Sequence, residues 1–418
     1  MKKKIILFII MFLVILIIVL GIIFVKIFVF YDKYEIPEDV KIGVLSETID
    51  VYDEVNLYDL VEINEAEILT EDAEIDTSTI GKFTCTIEYK YKLKKYFYEL
   101  QYDVIDTTAP VFIIASTSRT FYVGESDEDD LLSGVTYADD YDVYPTLEIE
   151  GEVDFDEVGT YIITYIISDE SGNETSKDVT IKIIERPKTT TNTDDEDEEE
   201  QDEEDDSIDI QEQIENYKTD ETMIGIDVSK WQGEIDFEKV KDAGVEFVII
   251  RMGVMKDKDT EIAIDNMFYE NYENAKNAGL KVGVYIYSES TTVESAIENA
   301  EFVIDTLDGD ELDFPICFDW ESWAYFNDLE INLHRLNEMY DAFSETLENA
   351  GYSAMLYASE NYLNNTWLTL KDYTIWVAKY STKTPSLNEN SYILWQNGNT
   401  GRVDGIDGDV DLDIYYIQ

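Results

Sequence analysis

Val282-Gly-Val-Tyr-Ile-Tyr287, then Val293–Leu307, then Phe314-Pro-Ile-Cys-Phe-Asp319-Trp-Glu321 read as strand, helix and strand. The two outer runs are short, apolar and rich in branched or aromatic residues, while the middle one repeats its apolar positions at helical spacing. Working outward, the same alternation continues in both directions. Strands are predicted at Ile224–Val228, Phe247–Arg251, Val282–Tyr287, Pro315–Trp320, Ala354–Tyr357, Thr374–Ala378 and Ile393–Trp395, with a last one near Val410. Helices are predicted at Phe237–Asp242, Asn266–Asn277, Val293–Leu307 and Asn332–Asn349, several stopped by glycine (Gly244, Gly279, Gly351). After Ala358 helical patterns become scarce. Such alternation implies a parallel sheet or barrel, whose chemistry sits at the C-terminal ends of the strands.

Acidic residues stand at those ends. Asp227 closes the first strand, and Asp319 and Glu321 close the fourth. A spacing of two along a strand turns both side chains to one face, with Cα atoms roughly 6.5–7 Å apart. Carboxyl groups in that range suit glycoside hydrolysis. Asp-x-Glu is common by chance in so acidic a chain. Here the pair ends an apolar run, where unpaired charge is costly.

The chain has 418 residues, with 30 basic against 93 acidic and a net charge of −63, which disfavours binding to nucleic acid. A single histidine, His334, excludes a two-histidine zinc motif and is read as a surface residue on a polar helix. Cys85 and Cys317 are read as single buried thiols, one per domain, and can build neither a disulfide framework nor a metal site. No metal or cofactor is expected. The chemistry is left to carboxylates.

Lys2, Lys3 and Lys4 precede an uncharged apolar run, Ile5–Val25, long enough at about 1.5 Å per residue to span a bilayer core. Residues 1–30 are therefore expected to be a cytoplasmic tail and single-pass signal anchor, with the C-terminus extracellular. A long signal peptide that is cut is the alternative. From Tyr34 to Ile184 short alternating strands dominate, and a repeat is visible. Gly81-Lys-Phe-Thr-Cys-Thr-Ile-Glu-Tyr89 and Gly159-Thr-Tyr-Ile-Ile-Thr-Tyr-Ile-Ile167 alternate alike, each behind an acidic lead-in from Asp76 or Asp154. Two all-β modules are expected, 35–106 and 107–185. Asn173-Glu-Thr175 is read as a turn before a glycosylation site, and Asp127–Asp130 and Asp139–Asp142 as solvated loop charge before calcium ligands. Residues 187–222 read as an acidic disordered linker, twelve of the thirteen residues from Asp194 to Asp206 being acidic.

Gly225-Ile-Asp227-Val-Ser229-Lys-Trp231-Gln232-Gly233, Phe247-Val-Ile-Ile-Arg251-Met-Gly, Gly279-Leu-Lys-Val-Gly283-Val-Tyr285, Asp319-Trp-Glu321, Trp376-Val-Ala-Lys-Tyr380, Leu394-Trp-Gln396 and Gly408-Asp-Val-Asp411-Leu-Asp413 follow one another in order. Together they resemble glycoside hydrolase family 25, over essentially all of 223–418. Asp106-Thr-Thr-Ala-Pro110 and Asp169-Glu-Ser-Gly-Asn173 resemble the ends of bacterial immunoglobulin-like surface modules. The resemblance implies a TIM-like α/β barrel of eight strands and five helices at the C-terminus and an N-acetylmuramidase acting on peptidoglycan. It implies Glu321 as general acid and Asp319 as base or as stabiliser of the substrate N-acetyl group. Asp227 and Asp411 would complete an acidic floor, and Tyr287, Tyr357, Trp376, Tyr380 and Gln396 would contact sugar. Two departures from the family pattern, Ile286 for a frequent histidine and Asp413 for a frequent asparagine, are expected to alter subsite polarity without touching the catalytic carboxylates. The competing readings are a catalytically inactive wall-binding or adhesion protein, and a glycosidase for another N-acetylated polysaccharide.

Overall fold

The computed structural model describes residues 34–187, 207–256, 261–388 and 391–417. The expected anchor over 1–30 lies outside them. Among the described residues no helix is long and apolar enough to cross a membrane. The chain divides into two units, Met1–Thr107 and Thr108–Gln418.

The first unit is built on the hairpin Gly81–Tyr91 and Lys94–Ile105, paired antiparallel over its full length. Glu67–Ile68 flanks one side, and Thr48–Asp50 runs parallel to the other. A separate antiparallel pair, Lys41–Val44 with Val61–Asn64, closes the opposite face. Ile87, Tyr89, Leu100, Tyr102 and Val104 fill the interior at alternate positions, as period-2 strands require. Cys85 is only half-buried, short of the expected buried thiol.

In the second unit residues 108–186 repeat this plan strand for strand. The hairpin Gly159–Ser168 and Glu174–Ile184 is flanked by Thr146–Glu150 and, in parallel, by Ser118–Tyr122. The small sheet is Val111–Ile114 with Val135–Ala138. The repeat seen in the sequence is thus a repeat of topology. Asn173 serves the turn, its amide Nδ2 donating to Asp169 Oδ2 at 2.8 Å. The acidic clusters bond their own backbone: Asp127 Oδ1 accepts from Asp129 N and Asp139 Oδ1 from Tyr141 N and Asp142 N.

The remainder is a closed barrel of eight strands: β1 Thr222–Val228, β2 Phe247–Val254, β3 Lys281–Ser288, β4 Ile316–Trp320, β5 Ala354–Ser359, β6 Ile375–Ala378, β7 Leu394–Arg402 and β8 Val410–Tyr416. β1 to β7 run parallel, and β8 closes the ring antiparallel to both β7 and β1. Between the early strands lie helices Phe237–Asp242, Phe268–Ala278, Val293–Leu307 and Leu333–Asn349. After β5 there is one turn, Glu360–Leu363, and a short 3-10 segment, Leu370–Asp372. The predicted loss of helix after Ala358 is what the chain does.

Alternate strand residues fill the barrel interior: Phe247, Ile249, Tyr285, Cys317, Met355, Tyr357, Trp376 and Leu394. Gly225 has no side chain because a Cβ there would lie 2.4 Å from the Phe247 ring. The outward positions, among them Phe318, Trp320, Ile286 and Val377, pack under the helices.

The barrel begins earlier than 223. Ile208–Asp209 pairs parallel with Gly401–Arg402, and helix Ile210–Tyr217 follows with Asp209 as its N-cap. Ile210 is buried, Ile214 and Tyr217 pack partly against the same core, and Gln213 and Asn397 exchange side-chain hydrogen bonds of 2.6 and 3.1 Å. The segment from Ile208 to Thr222, expected to be linker, is therefore part of this domain. Its apolar stripe at i, i+4 and i+7 was hidden by the acidic composition around it.

Candidate active site

The C-terminal ends of the parallel strands converge on a group of carboxyls. Asp227 ends β1, Asp319 points inward from β4, and Asp411 and Asp413 enter from β8 running the other way. Glu321 stands just past β4, at φ −129° and ψ 17°, where the chain leaves the strand for the 3-10 segment Ser322–Asp328. Asp227, Asp319 and Asp413 are buried, while Glu321 reaches solvent.

Crowding and like charge act together on this group. Burial, then the charges of Asp411 and Asp413, holds the Asp227 carboxyl well above its ordinary value. Burial and then Glu321 do the same to Asp319, against the pull of Arg251. Burial followed by Asp411 raises Glu321, and Asp411 itself is pushed up to about 6, chiefly by burial. So many carboxyls in one place cannot all ionise at neutral pH. Arg251 opposes the rise of Asp319. Arg251 is fixed from below, its Nε donating to Asp265 Oδ2 at 2.8 Å.

A polar network ties the floor. Gln396 Nε2 donates to Asp227 Oδ2 at 2.8 Å, and the Tyr357 and Tyr380 hydroxyls both donate to Gln396 Oε1 at 2.9 Å. Asp227 and Asp413 are hydrogen-bonded to each other, which requires one proton between them. Asp319 Oδ1 is buried with no hydrogen-bond partner. A buried acceptor without a partner is suited to a donor.

The sequence-predicted residues are brought together, but two of them offer no open face to a sugar. Asp227, Asp319, Glu321, Asp411, Tyr287, Tyr380 and Gln396 belong to the group, and Tyr380 is exposed. Burial, then Asp319, pushes the Tyr287 hydroxyl up to about 12. Trp376 is no sugar platform: it is 2% exposed, edge-on to Tyr285 and Tyr357, with its Nε1 bonded to Asp413. Tyr357 is likewise buried, presenting its hydroxyl to Gln396 and no open face. Ile286 faces the helix layer and not the barrel interior, so it cannot alter subsite polarity. Asp413, expected to stay clear of the catalytic carboxyls, is bonded to one of them. His334 is partly buried, its ring 3.6 Å from Glu338.

Three residues were missed. Arg251 was visible only as a motif letter, and Asp413 was noted only for subsite polarity. Trp231 is 73% exposed on the loop after β1, with Lys230 over its ring at 5.0 Å. An indole exposed on the loop after a barrel strand is a signal that could have been read from its place between Ser229 and Gly233, two turn formers.

A closed α/β barrel with carboxyls clustered at the C-terminal ends of its strands has the groups that glycoside hydrolysis uses. Residues 226–406 match the model of glycosyl hydrolases family 25, and residues 115–183 match the bacterial surface protein Ig-like domain. The C-terminal part of the chain is thus a family 25 glycosyl hydrolase domain, preceded by a bacterial-surface Ig-like domain. The chain is 33% identical over 192 residues to the autolytic lysozyme of Clostridium acetobutylicum, covering 46% of this chain and 55% of that protein. It is 28% identical over 201 residues to lysozyme M1 of Streptomyces globisporus, covering 45% and 65%. The chain thus spans between half and two thirds of the length of these relatives. A family 25 glycosyl hydrolase structure from Bacillus anthracis is similar at 24% identity and a TM-score of 0.41, covering 49% of this chain and 93% of that one.

Proposed function

We propose that the protein is a muramidase that hydrolyses the β-1,4 bond between N-acetylmuramic acid and N-acetylglucosamine in peptidoglycan. The observation that carries this reading is the solvent-reaching Glu321 beside buried Asp319, in a domain of family 25. Glu321, its carboxyl raised by burial and by Asp411, protonates the leaving glycosidic oxygen. Asp319, its charge favoured by Arg251, supports the positive charge that develops on the sugar, either through the N-acetyl group or as base toward water. Asp227, Asp411 and Gln396 maintain the acidic floor. Tyr287 and Tyr380 line the sugar, and Trp231 offers a stacking face at the rim.

The apolar run Ile5–Val25 behind three lysines supports a single-pass anchor that leaves the enzyme outside the cell membrane, with peptidoglycan within reach. Analysis of the reducing ends released from purified peptidoglycan tests the activity. Muramic acid ends are expected. Glucosamine ends, or none, would overturn the reading.

A further inference from the structure

Within the unit Thr108–Gln418, the second Ig-like module rests on the barrel rim immediately beyond Glu321. The contact is made by the strand Val135–Ala138. Thr136 is buried, and its hydroxyl donates to the Trp323 carbonyl oxygen at 3.3 Å. Tyr362 OH, 3.1 Å away, is then left as donor to Thr136 Oγ1. The Trp323 ring stacks on Tyr362 at 4.1 Å and 10°, and meets Trp320 edge-on at 4.8 Å. Asn327 Nδ2 donates to the Tyr137 carbonyl, and Ala138 is enclosed in the same apolar cluster as Trp323 and Phe326. At the far end, helix Leu333–Asn349 begins with unpaired N–H groups that the module satisfies. Leu333 N donates to Asp139 O at 2.8 Å and His334 N to Asp140 O at 3.3 Å, while Asn332 Nδ2 donates to Tyr141 O at 2.7 Å.

The segment gripped in this way is the one that carries the acid. The Glu321 carbonyl accepts from Trp323 N at 2.7 Å, so the position of Trp323 sets the direction in which Glu321 leaves the strand. A seven-residue 3-10 segment has poor internal hydrogen-bond geometry and little stability of its own. We propose that the second Ig-like module is a working part of the catalytic centre, and that Thr136 is a positioning residue for Glu321. The proposal rests on the muramidase reading above. Asp319 and Asp411, with the phenols of Tyr287, Tyr357, Tyr362 and Tyr380, face Glu321. Loosening Trp323 would admit water among them and lower the Glu321 carboxyl toward its ordinary value.

The test uses the full chain with Thr136→Val, which keeps the shape and loses the hydroxyl, and Thr136→Ser, which keeps the hydroxyl. Initial rates on purified peptidoglycan are followed against pH, alongside ¹³C titration of the Glu321 carboxyl, assigned by its loss in Glu321→Gln. Thr136→Val is expected to lower kcat roughly tenfold with KM nearly unchanged, and to move the alkaline limb of the profile to lower pH. Thr136→Ser is expected to restore both. A Val variant with wild-type kcat and profile, or a Ser variant no better than Val, overturns the proposal. If the wild type leaves peptidoglycan uncut, the muramidase reading fails by itself, and the titration then decides. A Glu321 midpoint displaced in Val and restored in Ser supports positioning; one midpoint in all three overturns it. Should Thr136→Val not fold, Thr136→Ala, which also removes the hydroxyl, takes its place in the same measurements.

Discussion

Trp376 Nε1 donates a 2.9 Å hydrogen bond to Oδ1 of Asp413, a carboxyl wholly enclosed in the barrel and bonded in turn to Asp227. An aromatic expected to receive sugar thus holds the underside of the acidic floor. Substitution of Trp376 by Phe should cost roughly 1–3 kcal/mol through the acceptor left without its donor. Chemical denaturation checks this, and a variant as stable as the wild type would show the bond to be dispensable. By contrast Trp231→Ala, at an exposed position, should leave stability within about 0.5 kcal/mol and raise KM.

Glu321→Gln should reduce turnover at least about a hundredfold while the chain stays folded, because the amide keeps the shape but has no proton to deliver. Release of reducing ends by the purified variant measures it. Retention of more than a few per cent of wild-type turnover would move the acid to another carboxyl, Asp227 first.

Asp413→Asn should flatten the dependence of stability on pH. Burial holds the carboxyls of Asp227 and Asp413 well above their ordinary values. A carboxyl pKa raised by folding gives stability that is present in acid and lost as pH climbs from about 4 through the folded value. Asparagine still accepts from Trp376 and donates to Asp227 without a shared proton. The variant's melting temperature should exceed that of the wild type at about pH 8, and the gap should close near pH 4. Parallel melting curves across that range would mean that the pair does not share a proton.

The anchor is tested by fractionation. Full-length protein should stay with membranes, and protease added outside intact cells should remove the barrel. A shortened, freely secreted chain beginning near Tyr31 would mean that the apolar run is cut.

The barrel and its strands were legible because each strand is short, apolar and followed by a patterned helix. Helices Phe237–Asp242 and Val293–Leu307 have the bounds that apolar period and capping residues specify. The carboxyls of the site were legible too, since an acid at the end of a buried strand is costly unless it is used. Periodicity assigns a residue to a face, and that is a local property. What the sequence could not decide is what lies opposite that face. Trp376 and Tyr380 both carry the letters of a sugar-binding aromatic, yet one is sealed inside the barrel and the other is open. Asp413 touches Asp227 only because β8 runs antiparallel to β1 across the closed seam. The bond from Thr136 to Trp323 joins residues 187 apart, over a segment whose composition reads as a spacer. Ring closure and docking are set by many weak contacts between distant parts of the chain, and no local pattern records them.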